Sequence, residues 1–297
     1  MTAYSPAAPP SGSRPPRGGT RGRRLPMTPG RAVALVIGVP VVLAIIAYNS
    51  YDLVLNVGRG SFPVRENVRV AASGLTVSLG GGGATVHGGA ATPGVARVSG
   101  TVTYHLGRPS VQLNSGNIGL NCPWFDEGNC SLNATVAIPS NTALTMSTGG
   151  GDLTASHLTG STKLSTGGGN ITLTHANGSL SLSSAGGDVT FSDVQGETAT
   201  VSADGGNING TGIGIPDVSV TSNGGDVDLT FAASAAVRNL HVETNGGNVT
   251  VIVPPGHYDV ADTSNGGSAT SSIKSDLSSP NHITITTNGG DISLSES

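Results

Sequence analysis

Aromatic side chains are scarce: one Trp, four Phe and five Tyr make up 3% of the 297 residues. A thick core of packed rings is therefore excluded, and so is a groove floored with aromatic platforms for a sugar substrate. Apolar residues reach only 36% of the chain, below the usual share of a globular domain. Small β-branched residues must fill whatever core exists, so the core has to be thin. Catalytic phrases are missing too. There is no Gly-x-Ser-x-Gly elbow, no His-Glu-x-x-His, and no Gly-Lys pair for a phosphate loop. The seven His are scattered singly along the chain, and no carboxylate pair marks a cleft of the kind a glycosidase needs. Asp226 and Asp228 share one strand face by spacing, but Asp226 belongs to a turn. No catalytic residue, metal site or cofactor site is predicted.

Charge is unevenly placed. Arg14, Arg17, Arg21, Arg23, Arg24 and Arg31 crowd the first 31 residues, which hold no acid, while all eighteen Asp and Glu lie beyond them. Residues 1–30 are rich in Pro, Gly, Ser and Arg without apolar periodicity, the composition of a disordered tail. A charge-free run, AVALVIGVPVVLAIIAY, begins at Ala32. Seventeen helical residues span about 25 Å, enough for a bilayer core. Basic residues before it and Tyr48 and Tyr51 after it predict a single-pass anchor over 31–48, N-terminus cytoplasmic and C-terminal domain outside. A secretory signal cleaved after Ala47 is the rival, disfavoured by the length of the run and by Ile45 three places before the cut. The anchor accounts for the basic tail without nucleic acid as a partner; the bilayer is the partner expected.

Glycine is abundant, at 46 residues, and much of it sits in one phrase. STGGGDL recurs as STGGGNI, SAGGDV, ADGGNI, SNGGDV, TNGGNV, SNGGSA and TNGGDI. The residue after Gly-Gly is Asp152, Asn170, Asp188, Asn207, Asp226, Asn248, Ser268 and Asp291, at steps of 18 to 23. A near-constant period of that size marks a stacked array. Apolar residues alternate on both sides of each phrase, as at Ile171 and Leu173 and at Leu180 and Leu182, so each repeat is two half-buried strands and two turns. One such unit cannot bury its apolar face alone.

The prediction is an all-β protein. Its core is a right-handed, single-stranded β-solenoid of about eight coils over 147–297, about 40 Å long at strand spacing. Residues 49–146 form an irregular β capping region, with SGNIGL at Asn117 as one more degenerate coil. The Gly-Gly corner is expected to need positive φ. The Asp/Asn letters are expected to stack in one column, with Asn amides donating to carboxylates above and below; as ordinary turn formers they would need no such contact. Cys122 and Cys130 are the only cysteines, and outside a cell their close spacing predicts a disulfide. Within that loop Trp124, Phe125, Asp126 and Glu127 form a candidate contact tip.

The phrases ATVAIPSNTALTMSTGGGDL, VTVIVPPGHYDVADTSNGG and SPNHITITTNGGDISL resemble the bacterial candidate-adhesin, β-strand-repeat domain family of unknown function, whose actinobacterial members often follow one membrane helix. The resemblance covers Ala134 to Leu294 and rests on the Gly-Gly-Asp/Asn phrase and on Val253, Pro254, Gly256 and Tyr258. It implies a surface-exposed adhesive protein of the bacterial cell membrane and assigns no binding residue. The functional expectation is thus a non-enzymatic rod that binds a cell-wall polysaccharide or another surface ligand. The alternative is an envelope-stress sensor or structural protein that takes a cell-wall or antimicrobial ligand. A polysaccharide-active enzyme is a distant third.

Overall fold

The computed structural model describes residues 59–89, 92–124 and 129–297, and they are all-β. The apolar run at 32–48 and the basic tail lie outside the described residues; no helix among the described residues is long and apolar enough to cross a membrane. Seven strands precede the regular repeats: β1 (Gly60–Arg69), β2 (Leu75–Ser78), β3 (Ala84–Gly88), β4 (Val95–Tyr104), β5 (Ser110–Asn114), β6 (Asn117–Asn121) and β7 (Ser131–Ile138). The repeats begin with β8 (Leu144–Thr148), β9 (Leu153–Leu158), β10 (Thr162–Thr166), β11 (Ile171–Asn177), β12 (Leu180–Ser184) and β13 (Val189–Gln195). They continue through β14 (Thr198–Ala203), β15 (Ile208–Gly214), β16 (Asp217–Ser222), β17 (Val227–Phe231), β18 (Asn239–Thr244) and β19 (Val249–Val253). The last four are β20 (Asp259–Ser264), β21 (Ala269–Ser271), β22 (His282–Thr287) and β23 (Ile292–Glu296).

From β8 to β19 the chain alternates between two sheets, each strand pairing in parallel with the one two places on. Parallel pairing of equivalent residues follows directly from the period: Ile171 lies beside Val189, and Leu182 beside Val201. Period-two alternation then turns one side of every strand inward. Leu164, Leu173, Val189, Phe191, Val220 and Val251 are buried between the two sheets. Phe191, the largest of the fully buried side chains, pairs with Gly210, whose missing side chain makes room for the ring. Burying a ring of this kind stabilises by roughly 1.5–3 kcal/mol.

The Gly-Gly corner does not follow the expected rule. None of its glycines has φ in the left-handed region; the positive-φ glycines, such as Gly178 and Gly196, lie elsewhere. The constraint is steric. A Cβ on Gly169, Gly187, Gly206, Gly225, Gly247 or Gly290 would overlap the carbonyl oxygen of the matching glycine one layer below. Strand-spaced corners can stack this closely only without a side chain.

The order of layers also departs from the order of the chain. At the C-terminal end β22 and β23 insert between β18/β19 and β20/β21. The reason lies in the inward positions. Layer β22/β23 offers Ile283, Ile285, Ile292 and Leu294, whereas β20/β21 sets Asp262 opposite Ile285 and Ser271 opposite Leu294. A layer with a polar inner side serves only as a cap. Past it, Ile273 is buried, and Ser275 takes the place of a further strand: its Oγ accepts from the Val260 N–H at 2.9 Å.

The N-terminal region is more than an irregular cap. Layer β2/β3 stacks directly on β8/β9, and β6/β7 stacks on β2/β3, so the region adds two full layers. SGNIGL is the strand of one of them. Beyond, β4 pairs antiparallel with β7 and β1 with β4, while β5 closes the other sheet as a hairpin with β6.

Candidate functional site

Stacking turns each letter of the corner phrase into a column. The innermost is Thr148, Thr166, Ser184, Ala203, Ser222, Thr244, Thr287 and Ser264 in spatial order, buried or nearly so. Each hydroxyl does two jobs. Thr166 Oγ1 accepts from the Gly169 N–H and donates to the Gly151 carbonyl, both at 3.0 Å. Ser184 repeats this with Gly187 and Gly169 at 2.9 Å each. Buried glycine amides and carbonyls are thereby satisfied layer by layer. Ala203 interrupts the relay, and Ser222 donates to its own Gly225 instead.

The outer column holds the Asp/Asn letters. Exchange of the last two layers sets Asp291 beside Asn248 and sends Ser268 to the end, so the spatial order is Asp152, Asn170, Asp188, Asn207, Asp226, Asn248, Asp291, with no break in the alternation. The bonding differs from the expectation. Each member's backbone N–H donates to the side-chain Oδ1 one layer below, at 2.7–2.9 Å, from Asn170 on Asp152 to Ser268 on Asp291. Asp and Asn serve equally, because both carry Oδ1. Alternation has a separate effect: it keeps carboxylates two strand spacings apart, about 10 Å. At the end of the column the Ser268 N–H and hydroxyl hold the Asp291 carboxyl below its ordinary range.

A third column escaped the sequence reading. The letter before Gly-Gly is Asp204, Asn223, Asn245, Asn288 and Asn265 in spatial order, and each Asn amide donates to the Oδ1 below it at 2.8–2.9 Å. Its signal was present in ADGG, SNGG and TNGG.

Elsewhere, Cys122 and Cys130 form the disulfide, with Cα atoms 6.2 Å apart. Trp124 is 87% exposed; Phe125, Asp126 and Glu127 lie outside the described residues. Histidines separated in sequence meet in space. His157 and His175 have φ of 56° and 50°, step out of the parallel pairing, and stack their rings at 5.0 Å. His175 Nε2 lies 3.6 Å from Asp193 Oδ2, the next residue in that left-handed column. Among the described residues no three His, Cys, Asp or Glu side chains converge as a metal site would require. The resemblance residues prove to be packing elements: the Tyr258 hydroxyl donates to the Pro254 carbonyl at 2.8 Å, and its ring covers Gly256. Burial, and secondly Glu296, raise the Tyr258 pKa.

Three solved structures show the range of likeness. A candidate cell adhesion protein from Clostridium sporogenes aligns over 80% of this chain and 100% of its own, at 14% identity and a TM-score of 0.24. For a candidate adhesin from Bacteroides fragilis the figures are 80%, 97%, 13% and 0.46. For a candidate lipid binding protein from Parabacteroides distasonis they are 79%, 96%, 12% and 0.47. No curated protein matches the chain. Residues 110–295 match the Toastrack DUF4097 family, and the chain belongs to that family.

Proposed function

We propose that the protein is a non-enzymatic adhesive rod on the outside of a bacterial cell, anchored by residues 31–48 with its basic tail in the cytoplasm, and that it holds surface polysaccharide. The observation that carries this reading is the outer face of the sheet that holds the odd-numbered strands from β9 to β19. Parallel register sets Thr154, Thr172 and Thr190 in one file and Thr174, Ser192, Thr211 and Thr230 in the next. Neighbouring hydroxyls recur at about 4.8 Å. Each can donate and accept, which suits a polymer that is itself a row of hydroxyls. The coil is right-handed in this reading, as parallel crossovers nearly always are.

A glycan array and a pull-down on purified cell walls test the binding. Full-length protein should retain polysaccharide, and a variant with Thr172 and Thr174 both changed to Val should retain several-fold less. No retention on any glycan or wall preparation would overturn the reading. Externally added protease should digest the region beyond residue 50 on intact cells while a tag on the tail survives.

A further inference from the structure

We propose that a gap in the outer column, above Gly83, is a saccharide-binding site; this deepens the adhesive reading and rests on it. The column continues below Asp152, where register sets Gly83 beneath Asp152 and Asn133 beneath Gly83. The Gly83 N–H donates to Asn133 Oδ1 at 3.0 Å, as the pattern requires. Gly83 itself has no side chain to offer. Asp152 is therefore the one member of the column, among the described residues, whose N–H finds no oxygen in the layer below. That donor faces the space that an Asn or Asp side chain fills in every higher layer up to Asp291.

A trough of about 650 Å³ lies over this gap. Two rows of outward residues cross it, running over five adjacent strands. One row is Arg65, Ser99, Thr135, Thr85 and Thr154. The other is Thr101, Asn133, Gly83 and Asp152, beginning beside Pro63. Five strands at about 4.8 Å make a floor roughly 19 Å across. Its chemistry is mixed. Hydroxyls both donate and accept, Asn133 and Asp152 are planar groups that can take two adjacent hydroxyls, and Arg65 at the far end offers a fork of donors. Arg65 forms no ion pair among the described residues. A ligand oxygen placed over Gly83 would complete the bond that Asp152 lacks. Adjacent hydroxyls on a short sugar chain match this set. A metal ion does not, since Asp152 is the only carboxylate. Without aromatic stacking the single site should be weak, and several rods on one cell would bind through avidity.

Titration calorimetry with chitotetraose and with tetragalacturonate, on the full-length protein in micelles, tests the site. At least one of the two should bind. Gly83→Asn, which fills the gap and supplies the missing oxygen, should weaken that binding tenfold or more, and Thr85→Val at least threefold. Thr200→Val, on the opposite sheet, should leave it unchanged. A Cβ at residue 83 comes within 2.8 Å of the Asp152 carbonyl oxygen, so each variant's melting temperature is checked, and Thr85→Val decides if Gly83→Asn fails to fold. Unchanged affinity in Thr85→Val would overturn the site. So would equal loss in Thr190→Val, three layers along the same face; that outcome leaves the adhesive reading standing, because binding would then belong to the whole face. If neither tetrasaccharide binds, the site is overturned, and the wall pull-down decides the adhesive reading separately.

Discussion

Layers β16/β17 and β20/β21 carry the same Asn-Gly-Gly corner, yet one lies inside the stack and the other closes it. Their corners are equivalent: Ser222 accepts from Gly225, Ser264 from Gly267, and Asn223 and Asn265 belong to the same amide column. Their inward residues are not. Val218, Val220, Val227 and Leu229 are buried, while the matching places in the last layer include Asp262 and Ser271. The corner phrase decides that a layer can stack; the inward residues decide where. Chain order is subordinate to both.

The largest effect that would sharpen this contrast is in the core. Phe191→Ala leaves a cavity between tightly paired layers and should cost about 3–5 kcal/mol. Val260→Ala, half-buried in the last layer, should cost less than about 1.5 kcal/mol on the same scale. Urea denaturation of the two variants gives the comparison; equal losses would mean the last layer is packed like the middle.

Next comes the hydroxyl relay. Thr166→Val leaves the Gly169 N–H and the Gly151 carbonyl without their partner, and should cost about 1–3 kcal/mol. The converse change, Ala203→Ser, restores a missing link and should gain about 1 kcal/mol. Hydrogen exchange at Gly169 and Gly206 reads the two effects locally, slower at Gly206 in the second variant. Unchanged exchange at both would show the relay to be idle.

A smaller effect tests the alternation. Asn170→Asp keeps the Oδ1 acceptor but sets a third carboxylate between Asp152 and Asp188, costing ~0.2–1 kcal/mol per pair. Ser268→Asp, at the end of the column, gains only one like-charged neighbour; measured against Ser268→Asn, which likewise lacks the hydroxyl bond to Asp291, it should lose about half as much. Both losses should shrink near pH 4, where carboxylates begin to protonate. Equal stability of Asn170→Asp and the parent from pH 4 to pH 7 would make the alternation energetically silent.

The smallest effects are at the pH limits. Tyr258 has its folded pKa raised above 10.0, so it favours folding fully below pH 10, and that contribution is lost as pH rises through the folded value. Asp291 is lowered below 3.8, so its contribution is present above about that pH and fades as pH falls through the folded value. Tyr258→Phe should flatten the alkaline limb of a melting-temperature profile, and Asp291→Ala the acid limb; limbs that stay unchanged would assign the losses to other groups.

Period-two alternation and a fixed corner phrase made the stacked strands legible, because burial on one face leaves its mark in every repeat. Exchange of the last two layers was legible only in Asp262 and Ser271, two polar letters at inward places. Glycine content showed that the corner tolerates no side chain, but composition cannot tell a backbone angle from a close carbonyl. The Asp/Asn bond was misread because the amide differs from the carboxylate at the atom that the ladder does not use. Histidines 157 and 175 were hidden because a left-handed residue interrupts the strand period at each of them. Gly83 looked like one more glycine in LGGGGA until the layer above it was known.

Because the outer column alternates, the consequence of copying or removing one layer of such a rod depends on the letter that layer carries. Duplicating β12/β13 alone would bring a second copy of Asp188 against the first, carboxylate on carboxylate. Duplicating β12 through β15 together would repeat Asp188 and Asn207 in turn and leave every neighbour as it was. Copying β14/β15 alone would only set amide beside amide, whereas removing it would bring Asp188 against Asp226, a grammar imposed by charge and invisible to the hydrogen bonds themselves.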